Sequence, residues 1–194
     1  MSAPVPSKKL NPRRREILDA TLRVIGQSGV NGVTHRAVAQ EANVALASTT
    51  YYFDSKDALI EEALELAIAR SIEAVRRFTT GPPEISREEL IDRVIGFADQ
   101  QINDPKAFLL AQYELMLEAG REDYLRPLAR RWTIAYMDGF ESLVRSAGLP
   151  ERATEIITNF VEGALLNHVT TPADDFLQEH LRPLLTDLVS AIGS

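Results

Sequence analysis

Residues 34–56 read THRAVAQEANVALASTTYYFDSK, and this stretch decides the fold. It divides into two short helices joined by a tight turn, with a hydroxyl and aromatic cluster at its end. That is the pattern of a helix-turn-helix DNA reader. Thr34 has the hydroxyl to cap the first helix, and Ala37, Val38, Ala39 and Ala42 give it a small apolar side that lets a second helix cross closely. Asn43 stands at the turn, where the backbone needs a residue tolerant of positive φ. The second helix spans about Leu46 to Tyr52 and carries Ser48, Thr49, Thr50 and Tyr51, hydroxyl groups with methyl or ring faces suited to base edges, thymine methyls and phosphates. Of the consecutive aromatics Tyr51, Tyr52 and Phe53, not all can share a face. Phe53 and Tyr52 are expected inward and Tyr51 outward, the alternative being that all three are core.

Outward from this stretch, every long segment has helical periodicity and no run alternates as a strand would, so the fold class is all-α with about nine helices. Asn11-Pro12 opens the first helix, with Ile17, Leu18, Leu22, Val24 and Ile25 on its apolar side, and the glycines from Gly26 to Gly32 end it. Asp54 or Ser55 caps a long fourth helix that stops at Gly81-Pro82-Pro83. Ser86 and Glu89 form a capping box for the fifth, and Asp104-Pro105 opens the sixth. The seventh runs from about Asp123 to Gly148, and the eighth follows Pro150. Thr171-Pro172 is expected to start a ninth that Pro183 kinks.

The 194 residues suffice for a sizeable core, and no apolar run of membrane-spanning length occurs. No signal-peptide pattern and no cysteine is present, which points to a cytoplasmic protein. The net charge is −7, yet residues 1–56 carry +4 and the remainder −11. A basic head on an acidic body suits a molecule whose head alone meets phosphate. Arg13, Arg14 and Arg15, with Lys8 and Lys9, have the charge to reach phosphates or a minor groove, although a solvated helix start explains them equally well. Lys56 opens a helix where its charge is unfavourable unless an anion sits there. His35 is either a phosphate donor or an exposed capping-turn residue.

The chain from RREILDATLRVIGQSGVNGVT (14–34) through the two short helices to YYFDSKDALIEEAL (51–64) resembles the N-terminal domain of the TetR family of bacterial transcriptional regulators. The resemblance implies DNA contacts at Arg36, over Ala45 to Tyr52 of the reading segment, where Ala45, Leu46, Ser48, Thr49, Thr50 and Tyr51 are the candidates, and at Lys56 on backbone phosphate; Thr34 and His35 beside Arg36 are further DNA-binding candidates. The chain departs from the family pattern at Asn43, where glycine is usual, and at Thr49-Thr50, in place of an aliphatic residue and tyrosine. The organisation implied is a DNA-binding domain over 1–56, with a basic arm at 1–11, and a helical ligand-binding and dimerisation domain over 57–194.

In that body Leu128, Trp132, Tyr136, Phe140 and Val144 recur every four residues, a spacing that by itself fits ordinary core. The resemblance adds an inducer cavity, to which Phe97, Gln112, Tyr113, Met116, Trp132, Tyr136, Phe140, Asn167 and His168 are the candidate contributors. The helices at about 151–168 and 172–192 are apolar over more than one side, which suits a homodimer surface, with burial inside the monomer as the alternative. No catalytic motif, metal-ligand spacing or cofactor loop is present, so no catalytic residue, metal or cofactor is expected. The resulting expectation is a repressor that binds a double-stranded, near-palindromic operator and is released by a small-molecule inducer. A DNA-binding regulator without such a ligand, and a helical-bundle enzyme or carrier, stay open beside it.

Overall fold

The computed structural model describes residues 11–103 and 106–193. Among them are nine α-helices and no strand: α1 Pro12–Ser28, α2 His35–Glu41, α3 Leu46–Tyr52, α4 Lys56–Thr79, α5 Arg87–Asn103, α6 Lys106–Arg121, α7 Arg126–Ser146, α8 Arg152–Thr170 and α9 Arg182–Ile192. Short 3-10 turns at Val30–Gly32 and Asp123–Leu125 precede α2 and α7, and a π-helical segment, Phe176–Leu181, precedes α9. The expected start of the sixth helix at Asp104-Pro105, and Lys8, Lys9 and the arm up to residue 10, lie outside the described residues.

Local chemistry sets most helix boundaries. The Asn11 side chain accepts from the Arg13 amide with Pro12 in the first turn, and the Thr34 hydroxyl accepts from the Ala37 amide at 3.0 Å. Of the two candidates for capping α4 it is Ser55 that does so, its hydroxyl 3.1 Å from the Ala58 amide. At α5 only half of the expected capping box forms. Ser86 accepts from the Glu89 amide at 3.0 Å, but the Glu89 carboxylate turns to Arg93 at 2.6 Å, because a charged partner one turn on competes with the neutral amide.

The C-terminal region departs from the expected single kinked helix. Residues 171–175 form a turn, Asp175 adopts φ 49°, and regular α-helix resumes only at Arg182. Pro183 therefore sits in the first turn of α9, where its missing donor costs nothing, and the irregularity falls in the π segment before it.

The turn between α2 and α3 rests on Asn43 at φ 52°. Left-handed backbone costs a residue with a Cβ about 1–2 kcal/mol, less for asparagine than for others. Asn43→Gly is therefore expected to raise stability by about 0.5–1 kcal/mol in urea denaturation, and a loss of stability would refute strain at this turn.

The described residues gather in two compact units. The first comprises residues 11–67 and 107–126, so it combines α1–α3 and the first half of α4 with α6. α1 buries Ile17, Leu18, Leu22 and Ile25 at its centre, and the Arg23 guanidinium ties α1 to Glu41 at the end of α2 at 2.5 Å. α6 approaches the end of α1 so closely that a Cβ on Gly29 would meet the Glu114 carboxylate at 3.4 Å. Another part of this unit is acidic: burial, and after it the carboxylates of Asp57, Glu122, Glu118 and Glu61, push the Tyr124 phenol above its ordinary value.

The second unit comprises residues 68–106 and 127–193. Its core is built from Leu90, Val94 and Phe97 of α5, Tyr136, Phe140 and Val144 of α7, and Ile157, Val161 and Leu165 of α8. Two arginines fasten α9 to α5: Arg182 bridges Glu88 and Asp92 at 3.1 and 2.5 Å, and Arg87 donates to the Gly193 carbonyl at 2.9 Å.

Candidate DNA-reading face

α3 presents one exposed stripe. Leu46, Ala47, Thr50 and Tyr51 are exposed, Tyr51 by 80%, whereas Thr49 and Phe53 are 0% and 2% exposed. At about 100° per residue, positions 46, 47, 50 and 51 share an arc of about 140° and Thr49 falls outside it, while Phe53, in extended backbone just past the helix, turns back into the core. Ser48 and Tyr52 lie at the edges, half-buried, and the Tyr52 ring meets that of Tyr51 edge-on with centroids 5.0 Å apart.

This geometry corrects the expectation that Thr49 projects to DNA. Its hydroxyl donates to the Leu46 carbonyl at 2.8 Å inside the core of the unit, and its methyl takes the place of an apolar core side chain. Thr50 is its opposite: exposed, with its hydroxyl donating to the Ala47 carbonyl at 3.2 Å. That leaves the oxygen lone pairs and the methyl free to meet a base edge. Ala47 was not singled out from sequence, although it belongs to the exposed stripe; the positions of Thr50 and Tyr51, three and four residues on, carry that signal.

Around this face stand the remaining candidates. Ala45, just before α3, is exposed, as are Thr34 and Arg36 at the start of α2, although the Thr34 hydroxyl is already engaged as a cap. His35 is half-buried, and its Nδ1 has no hydrogen-bond partner among the described residues. Lys56 is the first residue of α4, half-buried beside amides of which Ser55 satisfies one. The arginine run splits. Arg14 pairs with Glu62 and lies 4.9 Å over the Phe53 ring, so it braces the core, whereas Arg13 pairs with Glu16 at 2.9 Å at the surface and Arg15 is exposed.

The candidate ligand residues are divided between the two units. Gln112, Tyr113 and Met116 belong to α6 in the first unit. In the second unit Trp132 stacks on Tyr136 with centroids 5.1 Å apart, Tyr136 meets Phe140 at 4.8 Å, and Phe97 lies 5.3 Å from Phe140. The Trp132 indole donates to the buried Ser71 hydroxyl at 2.8 Å. Asn167 and His168 stand apart from these rings, on an open groove of about 590 Å³ between α8 and the π segment, where His168 stacks on Phe176 at 4.4 Å.

Residues 17–75 match the family model of bacterial regulatory proteins of the tetR family, and residues 86–191 match the tetracyclin repressor-like C-terminal domain. The chain belongs to the TetR family. It is thus a transcriptional regulator with a DNA-binding helix-turn-helix, formed by α2 and α3. The nicotine-responsive transcriptional repressor HdnoR of Paenarthrobacter nicotinovorans is 25% identical over 169 residues, covering 84% of this chain and 86% of that protein. A TetR-family structure from Streptomyces coelicolor A3 superposes with a TM-score of 0.68 at 31% identity, over 92% of this chain and 98% of that one. The multidrug binding protein EbrR in complex with ethidium gives a TM-score of 0.62 at 30% identity, over 91% and 98%. Among the described residues no helix is long and apolar enough to cross a membrane.

Proposed function

We propose that this TetR-family protein is a homodimeric repressor that reads a near-palindromic operator with Leu46, Ala47, Thr50 and Tyr51 and is released by a small-molecule inducer. The observation that carries the reading is the exposed stripe on α3, which combines apolar, methyl and hydroxyl groups with Tyr51 80% exposed. Such a stripe has little use on a surface that meets only water, and it matches what a major groove presents. Arg36, His35, Ser48 and Lys56 flank it as groups for phosphates and base edges. Dimerisation is supported by α8 and α9, where Ile156, Leu166 and Leu184 are 39%, 45% and 56% exposed beside the apolar groove. Two heads then meet half-sites about one helical turn or a multiple apart.

The inducer reading rests on the aromatic group Phe97, Trp132, Tyr136 and Phe140 within the second unit. The names of the relatives point to nitrogen-containing ring compounds, nicotine for the repressor HdnoR and ethidium for EbrR. Stacked rings suit a ligand of that class. Release follows when the ligand binds better to the form whose heads are wrongly spaced.

Selection of bound duplexes from a randomised library at two salt concentrations tests the operator reading. A near-palindrome is expected to be recovered at both. On that operator Thr50→Val and Tyr51→Ala should each lose about 1–3 kcal/mol at particular base pairs, while Lys56→Ala should weaken all sequences alike and lower the salt slope by about 1. Binding by the Tyr51 and Lys56 variants equal to that of the parent would overturn the assignment of α3 as the reading helix.

A further inference from the structure

In the second unit, the last turns of α4 and α7 run in the same direction: Ser71 meets Trp132, Val75 meets Gly139, and beyond α4 the Ile85 amide donates to the Ser146 carbonyl at 2.9 Å. The helices touch at Gly139, where a Cβ would overlap the Val75 side chain. To one side of that contact they leave a cleft of about 520 Å³. Its walls are the face of α4 bearing Ile72, Arg76 and Thr79 and the face of α7 bearing Ala135, Asp138 and Ser142.

Two opposite charges face this cleft from opposite walls, and neither the Arg76 guanidinium nor the Asp138 carboxylate takes part in an ion pair or hydrogen bond among the described residues. The Ser142 hydroxyl is likewise unengaged. The rim is fixed without a ligand. Pro82 and Pro83 restrict the backbone, and Arg93, held by Glu89, donates to the Thr80 carbonyl at 3.0 Å. A rim already held in place needs little backbone ordering on binding, so the cost of a ligand is mainly that of ordering the exposed Arg76 and Asp138 side chains.

We propose that this cleft binds a small zwitterion of the α-amino-acid type with an apolar side chain. The carboxylate seats on the Arg76 guanidinium, whose planar fork suits bidentate contact, and the ammonium group meets the Asp138 carboxylate and the Ser142 hydroxyl. The side chain covers Ile72, Val75 and Ala135. A neutral dipolar ligand answers both charges at once, whereas an acid or an amine alone leaves one of them facing an uncharged group. The site is distinct from the α3 face and from the aromatic group of α5 and α7, and it does not depend on the operator reading.

Isothermal titration of the full chain at neutral pH with L-leucine and L-phenylalanine, and with the amine and the carboxylic acid that lack one charged group of leucine, tests this. At least one amino acid is expected to bind with one site per chain, and both singly charged analogues to bind roughly tenfold or more weakly. Arg76→Ala and Asp138→Asn should each weaken the amino acid by a similar factor, about tenfold, while an unchanged thermal melting midpoint and circular dichroism show that the fold is kept. Absence of binding by both amino acids up to about 10 mM overturns the proposal. So does binding of either singly charged analogue as tight as that of leucine, or binding unaffected by the two substitutions.

Discussion

Phe53→Ala is expected to lower the stability of the chain by about 3–5 kcal/mol in urea denaturation, the usual cost of emptying a buried phenylalanine site. Phe53 is 2% exposed and follows the last residue of α3, and its amide donates to the Thr49 carbonyl at 3.0 Å. Its ring is the surface on which Arg14 rests at 4.9 Å while pairing with Glu62, so truncation loosens α1, α3 and α4 together. Operator affinity should fall with stability, since α3 is only seven residues long and keeps its helical form through packing rather than intrinsic propensity. Phe53→Leu should recover much of the loss, because it restores volume without a polar group. A loss below about 1 kcal/mol for the alanine variant would mean that the ring does not hold the reading helix in place.

Phe140→Ala should produce a loss of similar size, about 3–5 kcal/mol, for a different reason. Phe140 is 0% exposed and is shared by two rings, Phe97 edge-on at 5.3 Å and Tyr136 at 4.8 Å. Its removal leaves a cavity and also breaks two aromatic contacts of about 0.5–1.5 kcal/mol each. The Trp132 to Ser71 hydrogen bond at 2.8 Å anchors the far end of the same stack, so the indole should keep a buried fluorescence signature in the variant while the denaturation midpoint falls. An unchanged midpoint would show that the aromatic stack contributes nothing to stability.

Thr34, Asn43, Ser86 and the two ends of α3 were legible in the sequence, because each depends on groups within four residues. A hydroxyl three residues ahead of a free amide, or a turn that needs positive φ, is written in local spacing. The direction of Tyr51 and Phe53 was legible too, since consecutive residues in a helix must part company. Thr49 was not, because a run of three hydroxyl residues looks uniformly polar and only the helical phase, fixed by Phe53 packing inward, separates Thr49 from Thr50. Glu89 shows the same limit: the capping pattern was present, yet Arg93 took the carboxylate.

By itself the sequence determined the all-α class, the helix-turn-helix and the basic head, which rest on periodicity, short-range hydrogen bonds and the order of charges along the chain, and the family through the resemblance of residues 14–64. Only the tertiary structure decided which residues keep company over distance. It put α6 beside α1 through Glu114 and Gly29, and sent Arg14 to Glu62 rather than to solvent. It also left Arg76 and Asp138 facing one cleft. A helix exposes its pattern to the reader of a sequence, but the partner that buries each face is chosen by packing among segments far apart in the chain, which no local spacing encodes.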